Sequence, residues 1–221
     1  MCKSHIIPEW AYRPLYDEQS RAFAINSEDR RRRRIQQGLW ERLFCLDCEH
    51  YFNQLDEPFF LFWNSGDRFP PTLSMPFFVM HGIDYATTER FLLSVLWRAH
   101  VARRGVLAEI NLGPHADRIE GILRQEPAGE LGNAYPTYCY ALRDPETGGI
   151  AKGLVLTPSK RRTEGHWNYD VAFLGCGWKI FVSTSVGKLW SSCVLKRNGT
   201  IVMPVLNYRE FPAVRHLSRH K

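Results

Sequence analysis

The 221-residue chain contains no run of roughly eighteen uncharged apolar residues, which excludes a hydrophobic membrane-spanning helix. Its first residues carry His5, Glu9 and Arg13 and lack the apolar core of a signal peptide, so a cytoplasmic protein with no membrane partner is expected. Cysteine is sparse and scattered. Of Cys2, Cys45, Cys48, Cys139, Cys176 and Cys193, only Cys45 and Cys48 form a close pair, which argues against a secreted disulfide framework. A glycine-rich phosphate loop is missing too, because Gly175-Cys176-Gly177 lies between strand-like segments and opens no helix. Ser183, Ser185, Ser191 and Ser192 have no nucleophile elbow, and His166 has no identifiable serine or aspartate partner, so no hydrolase triad is present. Internal repeats are absent, and the only low-complexity tract is Arg30 to Arg34.

An apolar content of 44% suffices for one domain of moderate size, or one domain with a small N-terminal module. The net charge of +6 and pI near 9.1 favour contact with polyanions. Arg30, Arg31, Arg32, Arg33 and Arg34 follow the polar stretch Asn26-Ser27-Glu28-Asp29, which reads as an exposed loop with Ser27 as a cap for a short helix. Five adjacent guanidiniums repel one another unless an anion or water lies between them, so the run is either a phosphate-contacting patch or a solvated loop. Arg161 and Arg162, with Lys160, Trp167 and Tyr169, offer a second basic and aromatic surface for nucleic acid, or a charged edge strand guarded against aggregation.

Periodicity divides the chain into residues 1–57, an aromatic-rich and helical region at 58–132, and a β region at 133–221. Residues 58–80, dense in aromatics and proline, suit extended segments and turns. The strongest helix runs from Asp84 to Arg104, with Phe91, Leu92, Val95, Leu96 and Ala99 on one stripe and Glu89, Arg90, Arg98, Arg103 and Arg104 on its flanks; Asp84 or Thr87 caps it. A shorter helix spans Ala116 to Arg124. Strands are expected at Tyr135–Leu142, Ile150–Leu156, Trp167–Leu174, Trp178–Thr184, Lys188–Val194 and Thr200–Leu206, joined as an antiparallel meander. The fold class is α+β.

Ser4-His5-Ile6-Ile7-Pro8, followed about forty residues later by Cys45-Leu46-Asp47-Cys48-Glu49, resembles the two ends of the ββα-metal core of HNH endonucleases. That resemblance implies a strand carrying a general base, His5, beside a helix supplying Glu49 and Asn53 to a divalent Mg²⁺ or Mn²⁺ that holds a DNA phosphate. It implies a structural zinc knuckle at Cys45 and Cys48, with Cys2 or His50 completing the set. The chain departs from the HNH pattern at Ser4, where a metal-binding acid or histidine is usual, and at Trp40, where the family's asparagine orients the base. The usual histidine after the second cysteine is replaced by Glu49. A lone C-x-x-C can also be redox-active, but the thioredoxin-like βαβ context for that is lacking. Residues 8–18 and 91–98 are similar to uncharacterised bacterial and phage-associated HNH-like proteins, which implies a role in phage or mobile-element conflict. The expectation is a degenerate nuclease that binds DNA or a nucleic-acid-handling protein. The alternative is an active metal-dependent DNA endonuclease with His5 as base.

Overall fold

A computed structural model of the chain describes residues 1–25, 32–64, 68–103, 110–125, 134–182, 191–211 and 214–215, with the backbone alone at 23–25 and 32–33. The architecture is α+β. Strand β1 (Lys3–His5) leads through a 3-10 helix (Glu9–Leu15) to a hairpin of β2 (Ala22–Ile25) and β3 (Arg32–Ile35), then to β4 (Trp40–Arg42) and helix α1 (Leu46–Asn64). β4 returns antiparallel beside β1, pairing Lys3 with Arg42, Ser4 with Glu41 and His5 with Trp40. The N-terminal unit is therefore two short paired strands followed directly by a helix, with a second hairpin inserted between the strands.

The remaining elements are β5 (Phe77–Met80), α2 (Tyr85–Val101), α3 (His115–Arg124), β6 (Thr137–Arg143), β7 (Leu156–Thr163), β8 (His166–Phe173), β9 (Cys176–Phe181) and β10 (Ile201–Asn207). Strands β5 to β10 form one six-stranded sheet in the order β5-β10-β6-β9-β8-β7. The expected antiparallel meander is corrected here in two respects. β10 lies parallel to β6, and β5, which precedes the helices, joins the sheet beside β10. Residues 182–200 separate β9 from β10, long enough for a crossover that a tight hairpin could not make.

The strand expected at Ile150–Leu156 begins only at Leu156 and continues to Thr163. β7 is an edge strand, so the polar run Ser159 to Thr163 can alternate between half-buried and exposed without harming a core. Of the strand expected at Lys188–Val194, residues 188–190 lie outside the described residues, while 191–193 form a turn and Val194 makes an isolated antiparallel bridge to Tyr138, which corrects that expectation. The β8–β9 turn sits at Leu174 and Gly175, both at positive φ (52° and 75°). A Cβ on Gly175 would stand 2.2 Å from Ile150 Cγ1, so this position needs glycine for both conformation and room.

Residues 58–64 are helical, contrary to the extended segment expected there, because α1 continues past Pro58 to Asn64. Its buried side chains, Phe52, Asp56, Phe59 and Trp63, recur at helical spacing, and their burial outweighs the one backbone hydrogen bond that proline removes. Phe59 stacks on Phe91 of α2 at a centroid separation of 3.9 Å and meets Phe173 and Trp178 edge-on. One continuous core thus joins Ile6 and Ile7 of the N-terminal segment, the three helices, and the inner face of the sheet.

Asp84 caps α2 by accepting the Thr87 amide at 2.9 Å. Of the residues expected on the flanks of α2, Glu89 is 3% exposed, Arg90 4% and Arg98 3%, whereas Arg103 is exposed just past the helix end at Val101 and Arg104 lies outside the described residues. α2 lies against α1 and α3 and over the sheet, so it has little solvent-facing surface on which to place charges. Arg90 answers by donating to the carbonyls of Ile122 and Leu123 at the end of α3. No helix among the described residues is long and apolar enough to cross a membrane.

Candidate functional site

β1, the 3-10 helix, α1 and α2 enclose a cleft of about 390 Å³ lined by His5, Glu9, Trp10, Arg13, Glu49 and Asn53, with Phe52, Asp56, Glu57, Phe60 and Arg98 along its floor and rim. The structure thus brings His5, Glu49 and Asn53 to one cavity from sequence positions far apart. Strand pairing sets His5 at the edge of the cleft, and Glu49 lies in the first turn of α1, with the exposed Asn53 one turn further on the same face.

His5 Nε2 stands 3.0 Å from Glu9 Oε2, although the two atoms lack the alignment of a straight hydrogen bond. Glu9 is itself firmly held. Its Oε2 accepts the Gly38 amide at 2.9 Å and its Oε1 accepts the Tyr16 hydroxyl. A Cβ on Gly38 would fall 2.4 Å from the Tyr12 ring, so glycine is what lets this amide approach Glu9. Trp40 lies across the ladder from His5 and is 43% exposed, so no side-chain oxygen comes from that position. The carboxylate on the imidazole comes instead from Glu9, four residues beyond His5. This i, i+4 spacing was visible in the sequence, but its geometry depends on the 3-10 turn.

Partial burial lowers the His5 pKa below its ordinary 6.5, with Glu9 pulling the other way and Lys3 and Arg98 reinforcing the fall. His5 is therefore neutral at pH 7, as a general base must be. Because its folded value is depressed, the native state should lose stability as pH falls below 6.5, where the unfolded chain takes up the proton first. Glu9→Gln removes the one charge that raises this pKa. The His5 imidazole of that variant should titrate at lower pH than the wild type by NMR, and an upward shift would contradict the pairing.

Ser4 is 1% exposed and works as a strut between β1 and α1. Its hydroxyl donates to Glu49 Oε1 and accepts the Phe44 amide at 3.3 Å. Beneath them, Arg98 of α2 grips Asp56 of α1 with two hydrogen bonds of 2.9 and 2.8 Å, donates to Ser94 Oγ at 3.0 Å, and reaches the His5 carbonyl at 3.4 Å. One buried guanidinium thereby fixes two helices and the strand that bears the histidine. Sequence periodicity gave no sign of this, since Asp56 and Arg98 each resemble ordinary helix surface charges.

Three of the four carboxylates in the cleft have partners: Glu49 with Ser4, Glu9 with His5, Tyr16 and Gly38, and Asp56 with Arg98; the fourth is the exposed Glu57. No group of three or more histidine, cysteine, aspartate or glutamate side chains is arranged to hold a metal among the described residues. Among the described residues, then, no preformed divalent-metal site is present. The same holds for zinc. Cys45 and Cys48 are both exposed with sulfurs 3.4 Å apart, while Cys2 and His50 do not join them to make a closed four-ligand set. The Cys48 backbone amide and thiol hold the Cys45 thiol below its ordinary range, and the Cys45 sulfur pushes Cys48 up.

Of the arginine run, Arg32, Arg33 and Arg34 lie on β3, paired with Ile25, Ala24 and Phe23, and Arg34 is exposed. Arg30 and Arg31 lie outside the described residues. Strand β2, the partner of β3, touches the 3-10 helix that bears Glu9 and Arg13. In the β region, Arg162 is exposed, with its guanidinium 5.7 Å from the Trp167 ring, whereas Arg161 is half-buried near the buried Asp170–Lys179 pair. Tyr169 is buried, its hydroxyl donating to the Asn111 carbonyl, and contributes nothing to that surface. Set against known proteins, the chain matches no family model, no curated protein and no solved structure.

Proposed function

We propose that this chain is an HNH-like protein that binds nucleic acid through its N-terminal ββα unit, retaining the base of a nuclease site without its metal-binding set. The observation that carries this is the meeting of His5 on β1 and Glu49 on the first turn of α1 at one cleft, in strand–strand–helix order. Support also comes from the arginines of β3, whose partner strand β2 touches the 3-10 helix that bears Glu9 and Arg13, and from the net charge of +6. Ser4 stands where the resemblance would put a ligand, and its hydroxyl occupies the Glu49 carboxylate. A role in phage or mobile-element conflict, with DNA or a DNA-handling protein as partner, follows from the resemblance and belongs to this proposal.

A second reading, an active metal-dependent endonuclease, is favoured by the buttressed His5–Glu9 pair, which is how a base is oriented in a working site. The test is nicking of supercoiled plasmid with Mg²⁺ or Mn²⁺, comparing wild type with His5→Ala. Slow or undetectable cleavage by the wild type is expected. Rapid metal-dependent cleavage that falls about a hundredfold or more in His5→Ala would establish the enzyme instead, that being the usual cost of losing a positioned base.

A further inference from the structure

We propose that Cys45 and Cys48 form a redox-active dithiol that reacts with small disulfides by thiol–disulfide exchange and closes to an intramolecular disulfide. The sulfurs are 3.4 Å apart and both side chains are exposed, whereas Cys139, Cys176 and Cys193 are buried. The two cysteines bracket the start of α1, whose first turn is already formed: the Glu49 amide donates to the Cys45 carbonyl at 3.1 Å. A disulfide bond is about 2.05 Å long, so closure asks the sulfurs to approach by roughly 1.4 Å, within the reach of side-chain rotation. No third histidine, cysteine or carboxylate is arranged with the pair to hold a metal among the described residues, which leaves the thiols open to oxidant. The setting is ββα, so the proposal concerns the pair itself and implies no thioredoxin-like substrate groove.

The exchange balances without any further reactant. A thiolate of the pair attacks one sulfur of a disulfide R–S–S–R, forming a mixed disulfide and expelling R–S⁻, which takes up a proton. The second cysteine then attacks the mixed disulfide, forming the Cys45–Cys48 bond and releasing the second R–SH. Two electrons and two protons pass from the dithiol to the small disulfide.

The test uses the full chain purified without chelator, incubated with oxidised glutathione, quenched in acid, alkylated and mapped by mass spectrometry. The expected result is a linked Cys45–Cys48 peptide with both residues protected from alkylation, reversed by excess reduced glutathione. Both side chains are exposed, so Cys45→Ser and Cys48→Ser should fold, and each should trap one glutathione on its remaining cysteine. Three outcomes would overturn the proposal: both thiols still alkylated after oxidation, glutathione persisting on both cysteines of the wild type, or stoichiometric zinc that protects them. The last would return the pair to a metal knuckle. None of these bears on DNA binding, so the two proposals fail separately.

Discussion

Arg98→Met should destabilise the protein by about 3–5 kcal/mol, the usual consequence of removing one partner from a buried ion pair. Arg98 is 3% exposed and holds both oxygens of Asp56, which would be left charged and unpaired between two helices. Burial already pushes the Asp56 carboxyl above its ordinary range, with Arg98 opposing that shift, so in the variant the carboxyl should take up a proton and unfolding should become less costly as pH rises. The double variant Asp56→Leu/Arg98→Met removes both charges and should recover much of the loss. Urea denaturation of the three proteins measures this. Equal losses in the single and double variants would show that packing, rather than the orphaned charge, sets the cost.

The second large effect is expected in binding. Changing Arg30 to Arg34 together to serine should weaken affinity for duplex DNA of any sequence by tenfold or more at low salt. Each phosphate contact contributes about 0.9 to the slope of log affinity against log salt, so losing several contacts should flatten that slope measurably. Arg32 to Arg34 sit on β3, which pairs with β2 in a sheet of its own, and Arg34 is exposed, so their replacement should leave the Arg98–Asp56 pair intact. Unchanged affinity and slope, measured by fluorescence anisotropy, would return these arginines to the role of a solvated hairpin.

Much of the helical framework was legible in the sequence. The stripe Phe91, Leu92, Val95, Leu96 and Ala99 located α2, its cap was narrowed to Asp84 or Thr87 with the structure choosing Asp84, and Ile119 and Leu123 located α3. Each of these signals is local. Where the reading failed, the deciding interaction was long-range. The path of α1 through Pro58 follows from Phe59 packing on Phe91, 32 positions on, and Trp63 meeting Trp178, 115 positions on. The parallel pairing of β10 with β6 leaves no mark in either strand's own periodicity. Glu89, Arg90 and Arg98 read as surface because charge usually is, and only the packing of three elements around α2 makes them interior. At the cleft, the HNH resemblance had singled out His5 and Glu49, both of which the fold places in its lining. The clamp of Tyr16 and Gly38 on Glu9, and the bond from Ser4 to Glu49, required the fold.

The face of the ββα unit that carries the cleft is the proposed seat of nucleic acid, and hydrogen–deuterium exchange with and without a duplex DNA tests this directly. Protection is expected in Glu9–Arg13, in the β2–β3 hairpin and in the first turns of α1, weakening as salt rises. Absence of protection at low salt, or protection confined to the β7–β8 hairpin, would contradict it.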